Sequence, residues 1–246
     1  IASCLVGSEM CIRDSAETYT YSLKSNSNFK AKLLESSFEG MMIKINKSEL
    51  WCNLVGEFNV YNLLAVYATA KTLGMPEVNL LKGISKLKPV KGRLQFLSNS
   101  EKIAIVDYAH TPDALENVIT SIKKINSDKN SLITVVGCGG DRDKSKRPIM
   151  GNIASSLSTK VVFTSDNPRY ENPSQIIDDI MDGVSSENLE KVTRIIDRRK
   201  AIEKALSIAK KNDIVLVAGK GHESYQEING IKNNFDDFEV IKNIIS

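Results

Sequence analysis

Ile103-Ala-Ile-Val-Asp-Tyr-Ala-His-Thr-Pro112, Leu132-Ile-Thr-Val-Val-Gly-Cys-Gly-Gly-Asp-Arg-Asp143, Val161-Val-Phe-Thr-Ser-Asp-Asn-Pro-Arg169 and Ile214-Val-Leu-Val-Ala-Gly-Lys-Gly-His-Glu223 are built alike: a β-branched apolar run ends in a patch of charge. Runs this uniformly apolar fit strands covered on both faces, the usual condition of a parallel sheet. Ligands of open α/β sheets collect outside the carboxyl ends of the strands, and the polar residues fall there. Helical stretches opening at Pro112, Pro148, Pro173 and Arg198, the last running to Lys211, lie between these runs or a further strand over residues 191–196. The alternation predicts a doubly wound, Rossmann-like α/β sheet with right-handed crossovers.

Upstream, Pro89-Val-Lys-Gly-Arg93 breaks the periodicity and marks a domain boundary. Residues 89–246 are expected to form one domain and residues 16–88 the last part of another. In the latter, Gly40-Met-Met-Ile-Lys-Ile45 and Leu50-Trp-Cys-Asn-Leu-Val55 flank a polar turn and read as a hairpin. A helix then runs from Gly56 to Gly74, and Pro76 opens a shorter one ending near Lys88. Residues 1–15 have no helical or strand period, and Glu9-Met-Cys-Ile-Arg-Asp-Ser15 resembles a translated sequencing adaptor. That stretch is set aside as an artefact, so that the natural chain is expected to begin inside a domain.

With 246 residues, 41% hydrophobic and 26% charged, the chain can bury a substantial core. The net charge is only +3 with both signs interspersed, which excludes a nucleic-acid or membrane-surface footprint and leaves small anionic ligands as the expected partners. No apolar run approaches the roughly 20 residues of a spanning helix, and a cytoplasmic monomer is expected. Cys4, Cys11, Cys52 and Cys138 have neither metal-ligand spacing nor disulfide-scaffold density.

Several polar positions carry two readings each. Asn59 and Asn62, three apart at a helix start, direct both amides to one side; they either cap the helix or meet a ligand at an entrance that Gly56 leaves open. Asp107 and His110 end the first strand of the second domain, and His110 is either a buried structural imidazole or a ligand group. Asp113 supports the helix dipole. In the loop Gly139 to Pro148, Arg142, Lys144, Lys146 and Arg147 either decorate a solvated turn or neutralise carboxylates or phosphates, with function favoured for Arg142. Asp166-Asn-Pro-Arg169 is the sharpest signal: proline fixes the turn, and the Arg169 guanidinium suits bidentate capture of a carboxylate. Glu223 offers an acceptor for an ammonium group, so the rim describes a pocket for a zwitterion.

These stretches, together with Val90-Lys-Gly-Arg93, Gly56-Glu-Phe-Asn-Val-Tyr-Asn62, Asp197-Arg198, Ala218-Gly-Lys-Gly-His-Glu-Ser-Tyr-Gln226 and Asp236-Asp237, resemble the Mur ligases from about Thr18 to the end of the chain. The resemblance implies the C-terminal part of an ATP-dependent enzyme that adds an amino acid to UDP-N-acetylmuramoyl-L-alanyl-D-glutamate through an acyl phosphate, in peptidoglycan synthesis. The intact Asp-Asn-Pro-Arg form is the one associated with meso-diaminopimelate rather than L-lysine. Carried over, Arg142, Asp166, Asn167, Pro168, Arg169, Gly219 and Glu223 would hold the diaminopimelate. Asn59, Asn62, Arg93, Asp107 and His110 would serve ATP, and all of these but Asn62 would be catalytic. The phosphate loop ending Gly-Lys-Thr or Gly-Lys-Ser does not occur in the sequence, and the main magnesium ligands are expected upstream of it, so the piece is expected not to turn over alone. Three alternatives stay open: the L-lysine-adding enzyme, the ligase part of a cyanophycin or folylpolyglutamate synthetase, and a non-catalytic amino-acid or nucleotide sensor.

Overall fold

In the computed structural model of the chain, residues 17–99, 101–126 and 130–245 are described; the segment 1–15 set aside above lies outside them. One compact unit ends at Lys88 and a second begins at Pro89.

The first unit is a four-stranded sheet, β1 (Tyr21–Ser22), β2 (Phe29–Ser37), β3 (Gly40–Ile45) and β4 (Ser48–Cys52), in sequential order. Asn46, at φ 51°, turns the β3–β4 hairpin, a left-handed position that asparagine accepts readily. Helix α1 (Glu57–Thr72) places Val60, Leu63, Leu64 and Tyr67 on one face against Met41, Ile43 and Ile45, and α2 (Glu77–Ser85) adds Leu80 and Ile84. The i, i+3, i+4, i+7 spacing of the α1 residues produces that buried stripe.

The second unit holds a six-stranded sheet made of β5 (Gln95–Ser98), β6 (Ile103–Asp107), β7 (Leu132–Val136), β8 (Lys160–Phe163), β9 (Val192–Arg194) and β10 (Ile214–Ala218), in spatial order β5-β6-β10-β7-β8-β9. Only β5 runs antiparallel to its neighbour. Central β10 is buried at all five residues. Its odd-numbered Val215 and Val217 join Val106 and Val135 against Ala201, Ile202 and Leu206 of α6 (Arg198–Ile208) and Val240 and Ile241 of α7 (Asp237–Ile245). On the opposite side α3 (Pro112–Asn126) packs on α4 (Lys146–Leu157), which packs on α5 (Pro173–Met181). Helices therefore cover both faces, the doubly wound arrangement the apolar runs imply.

Helix α4 starts two residues before Pro148 rather than at it. A first-turn N–H has no intrahelical acceptor, so proline is tolerated there without marking the first residue. The fourth helix stops at Ile208, short of the expected Lys211. A hairpin, β11 (Tyr225–Ile228) and β12 (Ile231–Asn234), follows β10. Among the described residues no helix is long and apolar enough to cross a membrane.

Candidate functional site

Register sets the level of the site. Asp107 lies opposite Ala218 on β10, and Val136 lies opposite Phe163, so the loops after β6, β7, β8 and β10 leave the sheet at one edge. The β7 and β8 loops then touch. A Cβ on Gly140 would sit 1.9 Å from the Pro168 carbonyl oxygen, so only glycine allows this approach. Arg169 donates from Nη1 to the Gly140 carbonyl at 2.7 Å, and its Nε lies 3.5 Å from Glu227 Oε2. Arg169 itself adopts φ 50° and Asp141 φ 52°, left-handed conformations that cost a residue with a Cβ about 1–2 kcal/mol. The surrounding contacts must supply that cost. Arg142 is exposed, and its guanidinium bonds to the Asp141 carbonyl at 3.1 Å.

Beneath this rim the sequence-predicted residues divide by direction. Asn167 donates to Glu223 Oε2 at 2.8 Å, while its Oδ1 accepts from Lys220 Nζ at 3.0 Å and from the Glu227 amide at 2.9 Å. Asn167 therefore ties Arg169's loop to Glu223, and its side chain is spent on that task. Asp166 is also turned inward. Burial pushes its carboxyl pKa up against the pull of Arg198 and Lys220, and a Cβ on Gly219 would come within 2.7 Å of its Oδ2. Glu223 stays partly accessible. Burial acts to raise its pKa, but the hydrogen bonds from Lys220 and Asn167 and the charges of Lys220 and His222 outweigh burial and hold it below the ordinary carboxylate value. The charged groups left accessible at the rim are thus Arg142, Arg169 and Glu223, with Asp166, Asn167, Pro168 and Gly219 beneath or between them.

Next to them stands an aromatic step. Tyr108 packs against His110 with centroids 4.5 Å apart and against His222 at 4.9 Å, and the Arg93 guanidinium lies 4.6 Å from the Tyr108 centroid. His110 is exposed, not a buried structural imidazole, and its Nδ1 is 2.8 Å from the Tyr108 carbonyl. Asp107 is buried, and both its oxygens accept backbone amides, from Leu94 and Ala109, at 2.8 Å each. Burial raises its pKa in spite of those two bonds and of Arg93. Asn59 and Asn62 lie in the first unit, where Asn59 donates to the Val55 carbonyl at 2.7 Å and accepts from Asn62 at 3.4 Å. Their amides do share a side, and the Asn59 bond secures the helix entrance. Cys138 is buried beside Met150, and burial pushes its thiol up to about 12, which removes it as a nucleophile.

Arg147, read from sequence as a possible partner for ligand anions, is instead fully buried. It grips both oxygens of Glu171 at 2.9 and 3.0 Å and Asp179 Oδ2 at 2.7 Å. Glu171 also accepts the Asp141 amide at 2.5 Å and Lys144 at 3.2 Å, so it clamps the Arg142 loop to the Arg169 loop. The Arg147 bonds, outweighing burial, hold the Glu171 carboxyl at about 2. Because the folded pKa lies below the unfolded value of about 4.3, this stabilisation is complete above that value and is lost as pH falls toward 2. Glu171→Gln is expected to lower unfolding free energy by about 2 kcal/mol at neutral pH, and the gap to wild type should close below pH 3 in urea titrations. A gap independent of pH would remove the ion pair from the clamp.

With this geometry in view the comparisons are specific. The family model described as Mur ligase, glutamate ligase domain matches residues 92–221, more than half of the chain. The chain belongs to the Mur ligase family. It is 50% identical over 232 residues to the UDP-N-acetylmuramoyl-L-alanyl-D-glutamate--2,6-diaminopimelate ligase of Bacteroides thetaiotaomicron, covering 94% of this chain and 48% of that protein. A solved structure of an enzyme of the same name matches at TM-score 0.64 and 37% identity over 99% of this chain and 50% of its own. The folylpolyglutamate synthase of Mycobacterium tuberculosis, complexed with ADP and AMPPCP, matches at TM-score 0.66 and 17% identity over 88% and 50%, a likeness of fold alone. This Mur ligase chain spans about half the length of the curated relatives it matches.

Sequence reasoning missed Lys220, Tyr108, His222, Glu171 and the second hairpin. For the hairpin a signal was available: Asn229-Gly230 is the dipeptide of a two-residue turn. It matters because Gln226 donates to the Asp166 carbonyl at 2.7 Å and Glu227 contacts both Asn167 and Arg169.

Proposed function

We propose that the chain is the amino-acid-gripping part of an ATP-dependent ligase that joins meso-diaminopimelate to UDP-N-acetylmuramoyl-L-alanyl-D-glutamate in cytoplasmic peptidoglycan synthesis. One observation carries the reading: a guanidinium, Arg169, and an ionised carboxylate, Glu223, meet at one rim through Asn167. Such a pair matches the carboxylate and ammonium of one zwitterionic end of the substrate. The name borne by half-identical relatives supports the same choice.

In this reading the substrate carboxylate is activated as an acyl phosphate by ATP, and a free amine attacks it. A carboxylate that favours its charged form keeps a bound ammonium protonated, and a protonated amine cannot attack. Glu223 therefore holds the distal ammonium while the other amine stays free to react. Arg142 and Arg169 take the distal carboxylate, which L-lysine lacks. The exposed step made by Arg93, Tyr108 and His110 in the second unit is assigned to the nucleotide, and so, separately, are Asn59 and Asn62 of the first unit. Among the described residues no three His, Cys, Asp or Glu side chains converge to hold a cation.

Calorimetric titration tests this. The chain should bind meso-diaminopimelate at least tens of times more tightly than L-lysine, because only the former offers the half-buried Arg169 guanidinium a second carboxylate, a pairing of about 2–5 kcal/mol. Equal affinities, or preference for lysine, would favour the lysine-adding alternative.

A further inference from the structure

Lys220 is the one buried lysine among the described residues, with its side chain fully inaccessible. Its position follows from the backbone. Gly219 at φ 115° and Gly221 at φ 52° flank it, and a Cβ on Gly221 would lie 2.6 Å from both the Gly92 carbonyl oxygen and Tyr108 Cβ. Pressed between those neighbours, the turn directs the lysine inward. An ammonium has three donors. Here one meets Asn167 Oδ1 at 3.0 Å, one meets Glu223 Oε2 at 3.0 Å, and the group lies 5.4 Å from the centroid of Tyr225. Two of the three donors are engaged and the group is fully inaccessible, so it does not face a phosphate.

A desolvated ammonium is expensive unless its partners are charged and well placed. Glu223 is that partner, yet only its Oε2 is engaged: the bonds from Lys220 and Asn167 both end on that oxygen, and Oε1 has no hydrogen-bond partner among the described residues. Resting on the reading of the site given above, we propose that Lys220 is a positioning residue for the substrate's ammonium: it fixes Glu223 by one oxygen and so presents the other, charged, to the ligand. The groups around Glu223 are Lys220 and His222 on its own turn, Asp166 after β8, and Arg198 on α6. Removal of the Lys220 charge leaves Arg198, already engaged with Asp237, as the buried cation nearby. A carboxyl must then take a proton, and the one that loses its direct hydrogen bond is Glu223.

Carboxyl-carbon NMR of the 246-residue chain, with Glu223→Gln to assign the resonance, tests this in wild type, Lys220→Met and Lys220→Gln. Wild-type Glu223 should stay ionised from about pH 5 upward, whereas either variant should raise its proton affinity about tenfold or more, one pH unit or beyond. Affinity for meso-diaminopimelate, read by calorimetry, should fall about twofold near pH 5.5 in the variants, by more as the pH is lowered further, and recover as pH approaches 8. In a Glu223→Gln background the lysine substitution should add nothing, which also removes any contribution of His222. An unchanged Glu223 titration, a proton taken up by Asp166 instead, or an affinity loss equal at every pH would overturn the proposal. If neither variant folds, the wild-type ammonium decides: a slowly exchanging Lys220 Nζ signal that moves on ligand binding supports it, and exchange at the solvent rate overturns it. A wild-type chain that ignores meso-diaminopimelate while Glu223 titrates as described would sink the substrate reading and leave the lysine's hold on the carboxylate supported.

Discussion

Asp237→Ala will destabilise the second unit by about 3–5 kcal/mol, the largest loss expected from any single truncation in it. Arg198 and Asp237 are both fully inaccessible and pair through two bonds, Nε to Oδ1 at 2.8 Å and Nη2 to Oδ2 at 2.7 Å. Arg198 further donates to the Ala218 carbonyl at 3.1 Å and the Ser165 carbonyl at 3.5 Å, so it joins the ends of β10 and β8 to the start of α7. Without the carboxylate a guanidinium remains in the interior with only neutral carbonyls, and removing one partner costs more than removing both. Arg198→Leu combined with Asp237→Leu should therefore recover much of the loss. Thermal melts should show the single substitution lowering the transition of this unit by on the order of 10 °C. A drop under 2 °C, or a double variant less stable than the single, would mean that water or another anion compensates Arg198.

That pair also shows where reading the sequence stopped. Apolar runs report burial on both faces, because a parallel strand inside a doubly wound sheet has no solvent side, and so the β6, β7, β8 and β10 strands and their common edge were legible. The direction of a polar side chain at that edge was not. Asp166 and Arg169 stand three residues apart in one loop, yet the first points into the core and the second to the rim, since the left-handed backbone at Arg169 reverses the chain. Arg147 and Arg142 were equally basic in the sequence. Only the converging Glu171 and Asp179, distant along the chain, make one of them a buried clamp and leave the other exposed. Lys220 was hidden for the same reason: Glu223 is three residues away on its own turn, but Asn167 comes from the loop after β8, which parallel strands on either side of β7 bring to the same edge.

Arg169→Ala should abolish discrimination between substrates while leaving the weaker one untouched. Meso-diaminopimelate affinity should fall by about 30-fold or more, the lower end of the 2–5 kcal/mol attached to a desolvated charge pair; L-lysine, which offers no second carboxylate, should bind as before. The backbone complicates the measurement in a useful way. At φ 50° a residue with a Cβ is disfavoured and glycine is not, so Arg169→Gly should be more stable than Arg169→Ala by about 1 kcal/mol. Both should bind diaminopimelate equally poorly if the guanidinium is what matters. Arg169→Lys keeps the charge but cannot bridge to the Gly140 carbonyl and a carboxylate with the same planar fork, so it should restore little. Should Arg169→Gly retain wild-type affinity, or should lysine lose as much as diaminopimelate, the residue would be a brace for the β7 and β8 loops and Arg142 would inherit the carboxylate.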